Sequence, residues 1–145
     1  MELELAEELR ATLGRLVRSV REVNDLPRTE AAALGLLDRE GPHTTAQLAQ
    51  RHGVRHQTMA QAVARLAAEG MIEKAPHATD GRMTLLTITP AGVAATNADR
   101  RRRADWLAAA IDAELDETER ADLARCVPLL ARLAAHRLDL REGKI

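Results

Sequence analysis

Gly53 stands between two short segments of helical period, and the residues around it leave few folds open. Residues 45–52 and 55–69 each predict a helix, with Gly53 as the left-handed residue between them. Ala49 is small enough to let a second helix cross closely, while Val54, Met59 and Ala62 are apolar where that helix packs back. Gly70 closes the second segment. The pattern then changes from helical to extended: residues 71–75 and 83–88 read as strands around the turn-rich stretch 76–81. A very short strand at His43-Thr44 precedes the first of the two helices.

Helix, turn, helix, strand, turn, strand is the order of a winged helix-turn-helix, so the expected fold is mainly α with a small β-hairpin. Long helices flank it. Leu3, Ala6, Leu9, Leu13, Leu16, Val17, Val20 and Val23 recur at three- and four-residue steps over residues 3–23. Asn24 and Asp25 are exit residues, and Pro27 stops continuation. Thr29 is the expected cap of a second helix ending near Glu40, and Thr45 that of the third. Thr89-Pro90 opens a helix reaching about Leu115. Asp116 and Glu119 have the spacing of a capping box for a last helix running towards Leu140, with Pro128 expected to kink or break it.

The two C-terminal helices carry apolar stripes, Ala104, Leu107, Ile111 and Leu115 on one, and Leu123, Val127, Leu130 and Leu133 or Ala134 on the other. A small winged domain cannot cover these together with the first helix, so a homodimer is expected. The expected organisation is an N-terminal dimerisation helix over residues 1–28, a DNA-binding part over 29–89 and C-terminal dimerisation helices over 90–145. Two copies about a twofold axis would present their reading helices ~34 Å apart, one turn of duplex, which predicts a palindromic operator.

Net charge is −1, and apolar and charged residues make up 46% and 30% of the chain, a globular composition. The distribution of charge says more than its sum. Residues 41–68 contain no acid but carry Arg51, Arg55 and Arg65 with His43, His52 and His56. With Met59, Val63 and Leu66 turned inward, the second helix of the pair presents Gln57, Thr58, Gln61 and Arg65, with Arg55 and His56 at its entry. Such side chains reach base edges and phosphates of double-stranded DNA. Trp106 is the sole aromatic residue, which argues against the stacking platforms of RNA and single-strand binders. The run Arg100 to Arg103 points all round a helix and reads mostly as a solvated face.

Other function classes lack support. No apolar run is long enough to cross a bilayer, and the acidic start is unlike a signal peptide, so a cytoplasmic protein is expected. Cys126 cannot form an internal disulfide and sits on an apolar stripe, where a buried, inert thiol is expected over a redox sensor. His52 and His56 straddle the turn and do not make a metal set. Ser19 is the only serine, Cys126 has no evident base, and there is no Gly-rich phosphate loop, so neither an enzyme nor a cofactor is expected.

Several of these residues in combination resemble the MarR family of bacterial transcriptional regulators: Leu48-Ala49, Gly53-Val54, Leu66, the exit Gly70-Met71-Ile72-Glu73, then Asp80-Gly81-Arg82, Leu86-Thr87-Ile88-Thr89 and Pro90-Ala91-Gly92. The resemblance implies a triangular homodimer held by the terminal helices, with residues 55–69 of each copy in a major groove and each wing in an adjacent minor groove. Arg82 would read that minor groove, with Asp80 as its orienting carboxylate; an Asp-Arg pair at a hairpin tip also serves simply to pin the turn. A small-molecule effector is a further partner the resemblance implies. The chain departs from the family at Arg55, where Ser or Thr is common, at residues 25–37, which lack the aromatic residues that frequently line the effector pocket, and at Pro128. The near-neutral charge and Arg55 leave a second reading, a winged-helix protein-interaction module without DNA binding.

Overall fold

The computed structural model describes residues 1–76 and 79–136, so His77 and Ala78 of the expected wing turn and positions 137–140 of the expected last helix lie outside the described residues. The chain divides into two compact units, residues 1–106 and 107–145. The elements run α1 (Glu2–Arg21), α2 (Arg28–Glu40), β1 (His43–Thr44), α3 (Thr45–His52), α4 (His56–Ala68), β2 (Ile72–Pro76), β3 (Thr84–Ile88), α5 (Pro90–Glu114) and α6 (Glu117–Ala135). Most elements fall within a residue or two of their expected bounds. The hairpin gains a third strand: β1 pairs antiparallel with β3, through His43 opposite Leu86, to give the order β1-β3-β2.

The core of the first unit lies where α2, α3, α4 and the sheet meet. Leu34, Leu48, Met59, Leu66 and Leu86 are its largest fully buried side chains, one or two from each of these elements. Burying each is worth about 2 kcal/mol. Ala49 and Ala62, both buried, keep α3 and α4 close. Gly53 takes φ 62° and ψ 32°, and the Val54 N–H then reaches back to the Ala49 carbonyl at 3.1 Å, closing α3 with a left-handed cap. The Met71 N–H repeats this closure on the Leu66 carbonyl at 2.9 Å.

Two caps differ from expectation. Thr44, not Thr45, caps α3: its hydroxyl accepts the Gln47 N–H at 3.2 Å while the Gln47 side chain accepts the Thr44 N–H at 2.9 Å. An N-cap residue needs extended backbone, and Thr44 has it because it belongs to β1. Pro27, not Thr29, precedes α2, its carbonyl accepting the Ala31 N–H at 2.8 Å. The proline that ends one helix therefore starts the next.

Thr89 and Gly92 fasten the wing to α5. The Thr89 hydroxyl donates to the Gly70 carbonyl at 2.6 Å and accepts the Gly92 N–H at 3.2 Å. A Cβ on Gly92 would lie 2.2 Å from the Met71 carbonyl oxygen and 2.7 Å from Ile88 Cγ1. Only glycine allows α5 to begin this close to the strands.

In the second unit, Asp116 and Glu119 form the expected capping box at 2.8 and 2.9 Å. Pro128 does not break α6, which continues through it to Ala135 and stops there, with His136 extended. Pro128 removes the N–H that would have bonded the carbonyl of Ala124, an exposed residue. Cys126 is exposed rather than buried, because all but one residue of α6 are exposed. Among the described residues, no helix is long and apolar enough to cross a membrane.

Two predictions follow from this packing. Gly92→Ala should lower folding stability by about 1–3 kcal/mol, read as a fall in melting temperature, because backbone and not a flexible side chain opposes the added methyl. His52, at the end of α3, has a buried Nε2 without a hydrogen-bond partner among the described residues. Burial pushes its pKa down; the Ala32 carbonyl acts against this, and the charges of Arg39 and Arg51 add to it. The folded state thus favours neutral His52, whose contribution to stability is present above its unfolded pKa near 6.5 and is lost as pH falls below it. Melting temperature should fall on acidification from about pH 7.5 to 5.5, and His52→Leu should lessen that fall.

Candidate nucleic-acid interface

α4 presents two faces of opposite character. Met59, Ala62, Val63 and Leu66 are buried, whereas His56, Gln57, Thr58, Gln61 and Arg65 lie on the exposed side. Arg55 is the N-cap residue, extended and exposed, and its side chain makes no capping bond. The first N–H groups of α4 therefore lack the side-chain acceptor that Ser or Thr would supply, and an anion placed there would be favoured. Arg55, His56, Gln57, Thr58 and Gln61 share one exposed stretch at the start of the helix.

Arg65 differs from these. Its Nε–H donates to the Glu30 carboxylate of α2, and the side-chain exposures are 58% for Arg65 and 5% for Glu30. Arg51 is likewise paired, donating two hydrogen bonds to Glu40 at 2.7 and 2.8 Å. The Arg51 guanidinium holds the Glu40 carboxyl below the usual carboxylate range. Two arginines of the acid-free window are thus matched by acids outside it, Glu40 next to its start and Glu30 further back in α2. Arg55 and Arg82 stand exposed without an ion pair among the described residues.

At the wing, Asp80, Gly81 and Arg82 are all exposed. The Asp80 carboxylate accepts the Arg82 backbone N–H at 3.0 Å, and the Asp80 carbonyl accepts the Met83 N–H at 3.1 Å. Among the described residues no ion pair joins Asp80 to the Arg82 guanidinium. Asp80 therefore shapes the turn that carries Arg82 rather than aiming its side chain.

A second polar centre was not apparent in the sequence. Gly92, Thr96 and Asp99 are the buried residues of α5. The Asp99 carboxylate accepts the backbone N–H groups of Asp25 and Leu26 at 2.9 and 3.3 Å and an Arg102 N–H at 2.9 Å. Arg100 pairs with Asp38 of α2 at 3.0 Å, Arg102 with Asp25 at 2.7 Å, and Arg103 bonds Asn24 at 2.8 Å. The arginine run is mostly solvent-exposed, as expected, but three of the four also bond residues of α2 or of the joint before it. The helical spacing of Gly92, Thr96 and Asp99 was the available signal. Beside this joint lies a cavity of about 80 Å³, with Arg39, Arg100, Arg103, Thr96 and Asp99 on its walls. The buried Thr96 Oγ1 there has no hydrogen-bond partner among the described residues.

Comparison with known proteins matches this geometry. A family model described as MarR family covers residues 24–83. An uncharacterized HTH-type transcriptional regulator of Mycobacterium bovis is 35% identical over 132 residues, spanning 89% of this chain and 92% of that relative. Among solved structures, a transcriptional regulator protein from Pseudomonas aeruginosa superposes with a TM-score of 0.79 at 32% identity, covering 94% of this chain and 97% of its own. The PcaV transcriptional regulator of Streptomyces coelicolor, solved in complex with its natural ligand, gives a TM-score of 0.56 at 25% identity, covering 90% and 91%. The chain, with its helix-turn-helix core, exposed α4 face and three-stranded wing, belongs to the MarR family of transcriptional regulators.

Proposed function

We propose that this regulator is a cytoplasmic, ligand-responsive repressor that reads a palindromic duplex operator as a homodimer. The observation that carries the reading is the polar, exposed face of α4, raised on a rigid apolar core beside an exposed wing. Gln57, Thr58 and Gln61 suit base edges in the major groove, and Arg55 and His56 suit the flanking phosphates. Arg82, on the turn that Asp80 folds, suits the narrow minor groove next to it.

The dimer is supported by apolar surface left uncovered. Leu3, Leu5 and Val17 of α1 are 73%, 63% and 45% exposed, and Val127, Leu129 and Leu133 of α6 are 57%, 53% and 60% exposed. Residues 1–28 and 90–145 then act as the dimerisation segments around a DNA-binding part over 29–89. A second copy covers these helices at the cost of no new fold. Ligand response is supported by the cavity between α2 and α5, where three arginines against the one carboxylate of Asp99, and the Thr96 hydroxyl, which has no partner among the described residues, would favour a small carboxylate-bearing molecule. PcaV, a relative in fold, was solved with its ligand bound.

Duplexes selected from a random pool test the reading. Affinity for the selected duplex should fall by ~10³-fold or more between roughly 50 and 200 mM salt, if about six phosphates are contacted. No duplex binding, or a flat response to salt, would sink it and favour a protein-interaction module. Arg82→Ala should weaken operator binding by about tenfold and reduce the salt slope by about one, while melting temperature and dimer mass stay the same. For the dimer, Leu133→Glu should shift the sedimenting species towards monomer; an unchanged mass for this variant and for Val127→Glu would remove α6 from the interface.

A further inference from the structure

We propose that the Glu30–Arg65 ion pair is a positioning device that fixes how α4 lies on α2, and so governs the discrimination between operator and other DNA. The proposal rests on the DNA-reading function above. It moves Arg65 from the set of DNA contacts to the set of residues that place those contacts.

Glu30 lies in the first turn of α2 and is 3% exposed. It shares the buried face of α2 with Ala33, Leu34 and Leu37. A carboxylate buried this far needs a partner, and Arg65 is its ion-pair partner in the structure. The other contacts of α4 on its inner side are apolar, through Met59, Ala62, Val63 and Leu66. Apolar packing is non-directional and tolerates small rotations and slips along the helix axis. The Arg65 Nε–H points in one direction, so its bond to Glu30 selects one rotation of α4 and one position along α2. Thr58, Gln61 and Arg65 follow one another along a single face of α4. A small rotation of the helix therefore moves Thr58 and Gln61 relative to the base edges.

The location of Glu30 adds a connection. Ala31, its neighbour, together with Gly35 and Arg39, lines the cavity on the other side of α2. One helix thus carries the wall of the cavity on one face and the anchor of the reading helix on the opposite face.

The competing role for Arg65 is a phosphate contact held in reserve by Glu30, and the two roles differ in the sign of one experiment. Affinities are measured by fluorescence anisotropy for the selected operator and for a scrambled duplex of equal length, each over a range of salt. The proteins are wild type, Glu30→Gln, Arg65→Met and the double variant. A positioning pair predicts that either single change lowers operator affinity by about tenfold, and that scrambled-duplex affinity and salt slope hold within about twofold. The double variant should be no worse than the weaker single one. Tighter binding by Glu30→Gln, or an unchanged operator-to-scrambled ratio, would overturn the proposal. So would a loss by Arg65→Met that is equal on both duplexes and reduces the salt slope by about one. If circular dichroism finds Glu30→Gln unfolded, Arg65→Lys decides: it keeps the charge and loses the Nε donor. An operator-specific loss supports the pair, and full retention overturns it. Wild-type protein that binds neither duplex overturns DNA reading itself, and this proposal with it, in the first measurement.

Discussion

Helix α2 has four neighbours to satisfy at once, α3, α4, β3 and α5, and the arrangement of the DNA-reading unit depends on how it does so. Its buried face, from Ala33 to Leu37, lies in the same core as Leu48, Met59, Leu66 and Leu86. Its first turn holds Arg65 of α4 through Glu30, and Asp38 near its end takes Arg100 of α5. The joint before it is fixed by Asp99, whose carboxylate accepts two backbone N–H groups that no helix or strand would otherwise satisfy. The apolar contacts supply most of the stabilisation. The directional polar contacts decide which of several similar packings is adopted.

The same contacts alter the electrostatics expected of a DNA-binding surface. An acid-free window with three arginines suggests a strongly positive patch. Glu40 and Glu30, one just outside the window and one distant in sequence, match Arg51 and Arg65. Among the described residues Arg55 at the start of α4 and Arg82 on the wing have no ion pair, and the family resemblance puts a major groove at the first of these elements and a minor groove at the second. Fewer unpaired cations suit a regulator that must leave non-operator DNA readily, since non-specific affinity scales with phosphate contacts.

The local chemistry was legible in the sequence. Gly53, Ala49 and the strand-forming stretch 83–88 each act through neighbours a few residues away, and the structure places them within a residue or so of where they were expected. The capping box of Asp116 and Glu119 was equally plain. The misplaced caps show how far such reading extends. Thr44 and Thr45 have the same side chain, and only the pairing of Thr44 with Leu85 of β3 decides which is extended. The polar links were not legible because they join residues distant in sequence: Arg65 with Glu30, Asp99 with the backbone of Asp25, and Arg100 with Asp38. A run of four arginines reads as solvent-facing charge, which most of it is, and the sequence does not show which acids its members also bond. Exposure of Cys126 was missed for a related reason: an apolar stripe predicts burial but does not say whether the covering surface belongs to the same chain.

The central claim is that α4 reads duplex DNA from a twofold dimer. Hydroxyl-radical footprinting on a selected operator tests it most directly, since it reports where the backbone is covered on both strands. The account predicts two protected segments related by a twofold axis, with centres about one helical turn apart, and weaker protection where the wings enter the neighbouring minor grooves. A single protected segment without twofold symmetry, or uniform protection along the duplex, would contradict it.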